Sequence, residues 1–381
     1  MIRDSRGCAP PEILVSAGEA SSDMYTAELV QALGKRTGAH FFGLGGPQMR
    51  DANVELVGDY RNIAVVGLTE YIAKIPAGWK ILAKLVSTAR RRKPALAIVV
   101  DSPALNLHLS KFLKWLGIRV VYFISPQVWA WRPGRANQIR RRCERILVIF
   151  PFEEKFYRDR GMQVNFVGHP LVDSVRATVS RGEFCSRHGL DPGRKILVLL
   201  PGSRQSELRK NLPRILAASR VLSDGLKPQF VLAVAPGLLS KAFEGFDFGG
   251  LELTRVQGET YNALAACDCA IVSSGTATVE AALLGTPMVV VYAVSQITAL
   301  LAKPLLRAPF IAMVNLIAGR EVVPELIQDE FTSERLAEET RRLLVSVECC
   351  QEMKKDLAEV RARLGPGGAI NRAAEILADM L

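Results

Sequence analysis

Leu96-Ala-Ile-Val-Val100 runs straight into Asp101-Ser-Pro-Ala-Leu-Asn106, and this junction decides the fold. Five apolar residues with no polar alternation describe a strand buried on both faces, which is the mark of a parallel sheet covered by helices. Asp101 and Pro103 then end the strand with residues that favour a turn. The same unit recurs on either side. Ile13-Leu-Val-Ser16 precedes a helical pattern over 23–33, and Val120-Val-Tyr-Phe-Ile124 and Ile146-Leu-Val-Ile-Phe150 follow. The alternation restarts with Ile196-Leu-Val-Leu-Leu200, Phe230-Val-Leu-Ala-Val234, Ala270-Ile-Val272 and Met288-Val-Val-Val-Tyr292. Between the two series, 168–193 carries Pro170, Gly182, Gly189 and Pro192 and reads as a linker. The last stretch, 333–381, reads as two or three helices broken at Gly365-Pro-Gly-Gly368.

The expected architecture is therefore α/β, with two Rossmann-like doubly wound domains facing an interdomain cleft. The first domain spans 1–170, the second 171–345, and helices fill 346–381. In such sheets ligands bind beyond the carboxyl ends of the strands, so the loops after the strands are where chemistry is to be sought. A fold of this kind does not by itself name a function.

The chain has 381 residues, 49 Lys and Arg against 38 Asp and Glu, and a formal charge of +11, which favours anionic partners without choosing among them. Seven cysteines include no C-x-x-C pair, and His40, His108, His169 and His188 have no zinc spacing, so no metal and no cofactor is expected. Residues 1–11 lack the apolar core of a secretory signal. The longest apolar stretch, 297–318, is interrupted by Lys303, Pro304, Arg307 and Pro309. A spanning helix needs about 20 predominantly apolar residues, so membrane contact is expected to be peripheral.

Several strand-end loops carry chemistry. Ser16-Ala-Gly-Glu-Ala-Ser-Ser-Asp23 opens a helix whose free N–H groups suit an anion or a sugar hydroxyl, or simply make a tight turn. Gly43-Leu-Gly-Gly-Pro47 fails the G-x-G-x-x-G dinucleotide pattern at Gln48. Asp101 is placed as a general base would be, or as a turn former. Ser125-Pro-Gln-Val-Trp-Ala-Trp-Arg132 puts Trp129, Trp131 and Arg132 after a strand, to flank a sugar or acyl group or to pack. Six arginines within 132–145 form a solvated helix face or an anion site. Pro201-Gly-Ser-Arg204 offers a guanidinium to a pyrophosphate. Ser273-Ser-Gly-Thr-Ala-Thr-Val-Glu280 offers backbone N–H groups at a helix start, with Glu280 one turn further on. No Walker A sequence occurs.

Taken together these segments resemble the lipid-A-disaccharide synthase family along nearly the whole chain. The resemblance rests on SAGEASSD at 16–23, GLGGPQM at 43–49, VVGLTEYI at 65–72, DSPALN at 101–106 and SPQVWAWR at 125–132. It continues through PFE at 151–153, VGHPLVD at 167–173, PGSR at 201–204, SSGTATVE at 273–280 and NLIAGREVVPELIQ at 315–328. The chain departs from the family pattern at Ser22, commonly Gly, and at Ala104, commonly Asp, which leaves Asp101 as the one carboxylate of its motif.

The resemblance implies a glycosyltransferase of GT-B type in a Gram-negative cell, with the C-terminal helices packing back on the N-terminal domain. It implies transfer of a sugar from UDP-2,3-diacylglucosamine to the 6-hydroxyl of 2,3-diacylglucosamine 1-phosphate, giving a β-1,6 disaccharide and UDP. Inversion calls for a base, a role that falls to Asp101 with Glu19 in reserve. Ser203, Arg204, Gly275, Thr276, Glu280, Asn315 and Gln328 are expected in the UDP-binding domain's site. Ser21, Ile72, Trp79, Leu82, Trp129 and Arg132 are expected to face the acceptor or the membrane.

Within 68–92 an apolar series, Ile72, Ile75, Trp79, Leu82 and Leu85, is flanked by Lys74, Lys80, Lys84 and Arg90 to Arg92. That amphipathic stretch either packs in the core or lies on an anionic bilayer. The expected location is cytoplasmic, peripheral to the inner face of the inner membrane; a homodimer is neither required nor excluded. The rival readings are another UDP-sugar glycosyltransferase, a UDP-N-acetylglucosamine 2-epimerase of the same fold, and a basic RNA-binding protein. The third is disfavoured because aromatic-basic RNA motifs are missing, so no nucleic acid partner is expected.

Overall fold

The computed structural model describes residues 10–62, 68–131, 133–235, 238, 240–294 and 309–381. The chain divides into two compact units, one formed by Met1–Pro170 with Pro366–Leu381 and the other by Leu171–Gly365.

The first unit holds a seven-stranded sheet. Its strands are β1 (Glu12–Ala17), β2 (His40–Gly45), β3 (Glu55–Asp59), β4 (Leu96–Val100), β5 (Val120–Phe123), β6 (Arg145–Val148) and β7 (Val164–Phe166). Their order is β3-β2-β1-β4-β5-β6-β7 and every pair is parallel. Every residue of β4 is fully buried, as its unbroken apolar run requires. The order reverses between β1 and β4, so the loops leaving these two neighbours diverge and leave a crevice at their carboxyl ends. Leu82, Leu85 and Ala89 of helix Leu68–Arg92 pack on one face of this sheet with Leu109 and Leu113 of helix Pro103–Trp115.

The second unit repeats the plan with β8 (Ile196–Leu200), β9 (Gln229–Val234), β10 (Leu253–Gln257), β11 (Cys269–Ser273), β12 (Met288–Tyr292) and β13 (Glu325–Ile327). The order is β10-β9-β8-β11-β12-β13, again all parallel, with the reversal between β8 and β11.

The C-terminal helices depart from expectation. Helix Val347–Arg363 stays with the second unit: Arg363 donates to the carbonyls of Ile317 and Ala318, and Arg361 to that of Leu283. Only the last helix, Ala369–Ala378, joins the first unit, where it packs on helix Ala20–Thr37. Arg372 fixes its start by donating to the carbonyl of Val167 from Nε at 2.9 Å and Nη2 at 2.6 Å. The boundary thus follows Gly365 rather than residue 345.

No helix among the described residues is long and apolar enough to cross a membrane. Because Ala373, Ala374 and Leu377 are fully buried, the last helix is part of the first unit's core. Leu377→Ala should therefore destabilise that unit by about 2–5 kcal/mol. Urea unfolding followed by a first-unit tryptophan signal would show it; an unmoved midpoint would mean that the helix is not integral to the core.

Candidate active site

In the first unit the crevice between the β1 and β4 ends is organised by one buried amide. Asn106 Nδ2 donates to the carbonyls of Ser16 (3.2 Å), Val100 (2.9 Å) and Asp101 (3.0 Å), and its Oδ1 accepts the Ser16 hydroxyl at 2.7 Å. Asp101 and Ser102 are thereby held at φ of 43° and 47°. Each such non-glycine residue costs of order 1–3 kcal/mol and persists only where its surroundings over-determine it. Here the Tyr122 hydroxyl also donates to the Asp101 carbonyl at 2.6 Å, and the Asp101 N–H to Ile124 O at 3.1 Å. Gly18 completes the fit: a Cβ there would lie 2.3 Å from the Ser102 hydroxyl oxygen.

The result is a carboxyl pair. The Asp101 carboxyl lies close to that of Glu19, the residue preceding helix Ala20–Thr37. Burial first, and then the hydrogen bond and charge of Glu19, push the Asp101 carboxyl up to about 8, with Glu153 adding to the effect. A carboxylate beside another is harder to ionise, so Asp101 keeps its proton at higher pH than an exposed aspartate does.

Aromatic side chains follow β5, β6 and β7, the strands next in order after β4. Trp129 meets Phe152 edge-on at 4.8 Å, Phe152 stacks on Phe150 at 5.5 Å, and Phe150 meets His169 at 5.1 Å. Burial lowers His169 to about 4, so its ring is neutral at physiological pH.

In the second unit the loops after β8, β10 and β11 line a pocket of about 640 Å³ with Ser203, Arg204, Tyr261, Gly275, Thr276 and Glu280, among others. Arg204 is exposed and points its charge at Glu207 from 3.8 Å. Glu280 accepts the Tyr261 hydroxyl at 3.1 Å, and burial raises its carboxyl above the usual range. An anion at the start of helix Thr276–Leu283 would meet free N–H groups and the positive end of the helix.

Several expected residues are elsewhere. Asn315 is fully buried and does not line the pocket. Its Oδ1 accepts from the N–H groups of Val322 and Val323, while Nδ2 donates to Val323 O and Glu325. Gln328 is likewise spent on Val294, accepting its N–H at 2.6 Å and donating to its carbonyl at 3.4 Å. Leu82 belongs to the core with 4% exposure, so it cannot face acceptor or membrane, whereas Trp79 on the same helix is 52% exposed. Ser21 is exposed beside Glu19. Arg132 and the side chain of Ile72 lie outside the described residues.

Three carboxylates were not recognised from sequence. Asp23 caps the neighbouring loop, accepting from Gly46 N at 2.6 Å, Gln48 N at 3.0 Å and Met49 N at 3.3 Å. Glu207 accepts from Ser203 N at 2.9 Å and Arg204 N at 3.3 Å, so the backbone donors of this loop are already paired. Its signal, an acid three residues after Arg204 at a helix start, is visible in Arg204-Gln-Ser-Glu207. Glu153, with 1% exposure, accepts the Trp129 indole N–H at 3.2 Å. Among the described residues no group of three or more His, Cys, Asp or Glu side chains could hold a metal ion.

The raised carboxyl makes a prediction about stability. In the unfolded chain Asp101 ionises near pH 4, while in the folded chain it keeps its proton to about 8. Its contribution is therefore fully present below pH 4 and is lost as pH rises to about 8. Asp101→Asn should stabilise the first unit relative to wild type by an amount that grows from pH 4 to pH 8. Thermal melts across that range would reveal a pH-independent difference if the carboxyl were instead ionised in the fold.

Comparison with known proteins follows the same lines. A family profile described as lipid-A-disaccharide synthetase matches residues 13–379. The lipid-A-disaccharide synthase of Myxococcus xanthus is 45% identical over 380 residues, covering 98% of both chains. That of Geobacter metallireducens is 42% identical, covering 98% of this chain and 99% of its own. Among solved structures, UDP-GlcNAc 2-epimerase from Neisseria meningitidis bound to UDP-GlcNAc superposes with a TM-score of 0.68 at 13% identity, over 97% of this chain and 100% of its own. The glycotransferase of kitacinnamycin gives 0.63 at 16% identity, over 98% and 99%. At such identities the likeness is one of fold.

Proposed function

Since the chain belongs to the lipid-A-disaccharide synthase family, we propose that its first unit binds and activates the acceptor and its second unit holds the UDP-sugar. The reaction is transfer of 2,3-diacylglucosamine from UDP to the 6-hydroxyl of 2,3-diacylglucosamine 1-phosphate, with inversion at the anomeric carbon. The observation that carries the assignment of roles is the Asp101–Glu19 pair at the switch point of the first sheet.

The pair acts as the general base. The acceptor hydroxyl forms the new C–O bond as the bond to UDP breaks, and its proton passes to a carboxylate of the pair. A base is most effective when its pKa lies near the working pH, which is what burial and a like-charged neighbour supply to Asp101. Asp101, in the ionised form that it takes up as pH approaches about 8, is the base and Glu19 its partner. In the second unit, Arg204 and the start of helix Thr276–Leu283 stabilise the charge that develops on the departing UDP, through groups set in place before the reaction. Glu280, oriented by Tyr261, binds hydroxyls of the donor. A 2-epimerase of this fold would act on its nucleotide sugar without an acceptor; the family match over 13–379 does not favour it.

Acyl substrates also favour a membrane surface. Ile75 and Trp79 are exposed at 42% and 52% on the helix that carries exposed Lys80 and Lys84. We place this face against anionic lipid. Charge reversal at Lys80 and Lys84 should reduce cosedimentation with anionic vesicles, and unchanged cosedimentation would remove this surface from the proposal.

The decisive assay is acceptor-dependent UDP release. Asp101→Asn should lose about 10²–10⁴-fold in kcat. Glu19→Gln should remain active, with the acid limb of its pH profile moved to lower pH because the group that raises Asp101 has been neutralised. A Glu19→Gln enzyme as inactive as Asp101→Asn, with an unshifted limb, would transfer the base role to Glu19. UDP release without acceptor would point to the epimerase.

A further inference from the structure

Glu153 is a buried carboxylate that the reaction above does not use. It sits in the first turn of helix Pro151–Arg158, after β6. Its two oxygens are surrounded by donors. Oε1 accepts the Trp129 indole N–H at 3.2 Å and Oε2 the Phe150 N–H at 3.3 Å, and the Ile149 N–H and the Ser125 hydroxyl lie close by. Ser125 in turn is bonded to the Tyr157 hydroxyl. Ser125 is 6% exposed, Tyr157 fully buried and Glu153 1% exposed, so this chain of polar groups runs beneath the aromatic wall rather than along its surface. Trp129, by contrast, keeps part of its indole accessible and leans on Phe152.

From this arrangement we infer that Glu153 is a positioning residue for acceptor recognition: it clamps the indole of Trp129 as an apolar platform beside the Asp101–Glu19 pair. The platform takes the acyl or sugar face of the acceptor. The inference rests on the acceptor role proposed for the first unit. A hydrogen-bonded indole has one orientation, whereas an indole held by packing alone can rotate about its side-chain torsions; the carboxylate supplies the missing constraint.

The choice of acid rather than amide follows from the donor count. Both oxygens accept, so a Gln side chain would turn its NH₂ toward either the indole or the Phe150 N–H and leave that donor buried and unpaired. Burial raises Glu153 itself to about 8, and in its ionised form it adds to what raises Asp101. The other titratable groups facing this cluster are Glu19, Tyr122 and Tyr157, with Arg135 and Cys143 near Tyr122, Arg160 near Tyr157, and His169 against Phe150.

The test compares Glu153→Gln, Trp129→Phe and the double variant of the full chain in steady-state assays with the diacylglucosamine 1-phosphate acceptor. Each single change should raise the acceptor KM, lowering kcat/KM by roughly 10- to 10²-fold as for a misplaced binding group. The double variant should lose little more than either single one, because both remove the same clamp. Losses that multiply, or a normal acceptor KM in either single variant, would overturn the inference.

Should Glu153→Gln not fold, Tyr157→Phe, which deletes one oxygen of the same chain, takes its place in the cycle. Sub-multiplicative losses with Trp129→Phe then support the clamp, and multiplicative ones refute it. Failure of the base assignment is separable: active Asp101→Asn would dismiss that role while leaving the Glu153–Trp129 coupling to be judged on acceptor KM.

Discussion

A buried asparagine holds each sheet at the place where it opens. In the first unit the amide of Asn106 ties the ends of β1 and β4 by bonding the carbonyls of Ser16 and Val100. In the second, Asn211 Nδ2 donates to Pro201 O at 2.9 Å and to Ser273 Oγ at 3.1 Å, tying β8 to β11. Two parallel strands whose connections depart in opposite directions have free carbonyls at their ends and no further strand to pair them. A buried carbonyl left so costs about 1–3 kcal/mol. The asparagine satisfies these groups from the first turns of the following helix while keeping the crevice above it open. Asp101, Glu19, Ser203 and Gly275 all take their positions from strand ends fixed in this way.

The central strands could be read directly because the constraint on them is simple. A strand between two neighbours and under helices on both faces admits only apolar residues, and β4, β8 and β12 show that run in the sequence. The flanking strands β3, β7, β10 and β13 are short or half exposed and carry mixed residues, as in Leu253-Thr-Arg-Val-Gln257. They left no such trace. β2 was hidden by glycine: a Cβ at Gly43 would lie 1.8 Å from the carbonyl oxygen of Val15, so the sheet demands there a residue that sequence reading assigns to a turn.

The site was legible in its loops more than in its atoms. Each quoted loop does sit at a strand end, but a polar residue in a short loop can face a ligand or satisfy the protein's own backbone, and the local pattern is the same for both. Asp23, Glu207, Asn315 and Gln328 took the second course, with partners up to 34 residues away along the chain. The helix Leu68–Arg92 shows the same limit for apolar residues. Its periodicity suggested one face, yet Leu82 and Leu85 enter the core while Ile75 and Trp79 do not. Which of them meet the core is set by packing against residues distant in the chain.

What remains is why Asp101 and Glu153 should lie where burial makes them costly. Asp101 and Glu153 are both raised chiefly by burial, and Asp101 further by Glu19 and Glu153 themselves. For stability alone, apolar replacements would serve better, because desolvating a carboxyl is repaid only partly by the donors around it. The arrangement is intelligible as a functional one. A carboxyl kept near neutrality by its neighbours can give or take a proton at working pH, while an isolated surface aspartate, ionised far below it, is a poor acceptor. The positive φ at Asp101 and Ser102 belongs to the same account: the buried amide of Asn106 and the Tyr122 hydroxyl hold the backbone in a conformation it would not choose, so that the carboxyl points at its partner.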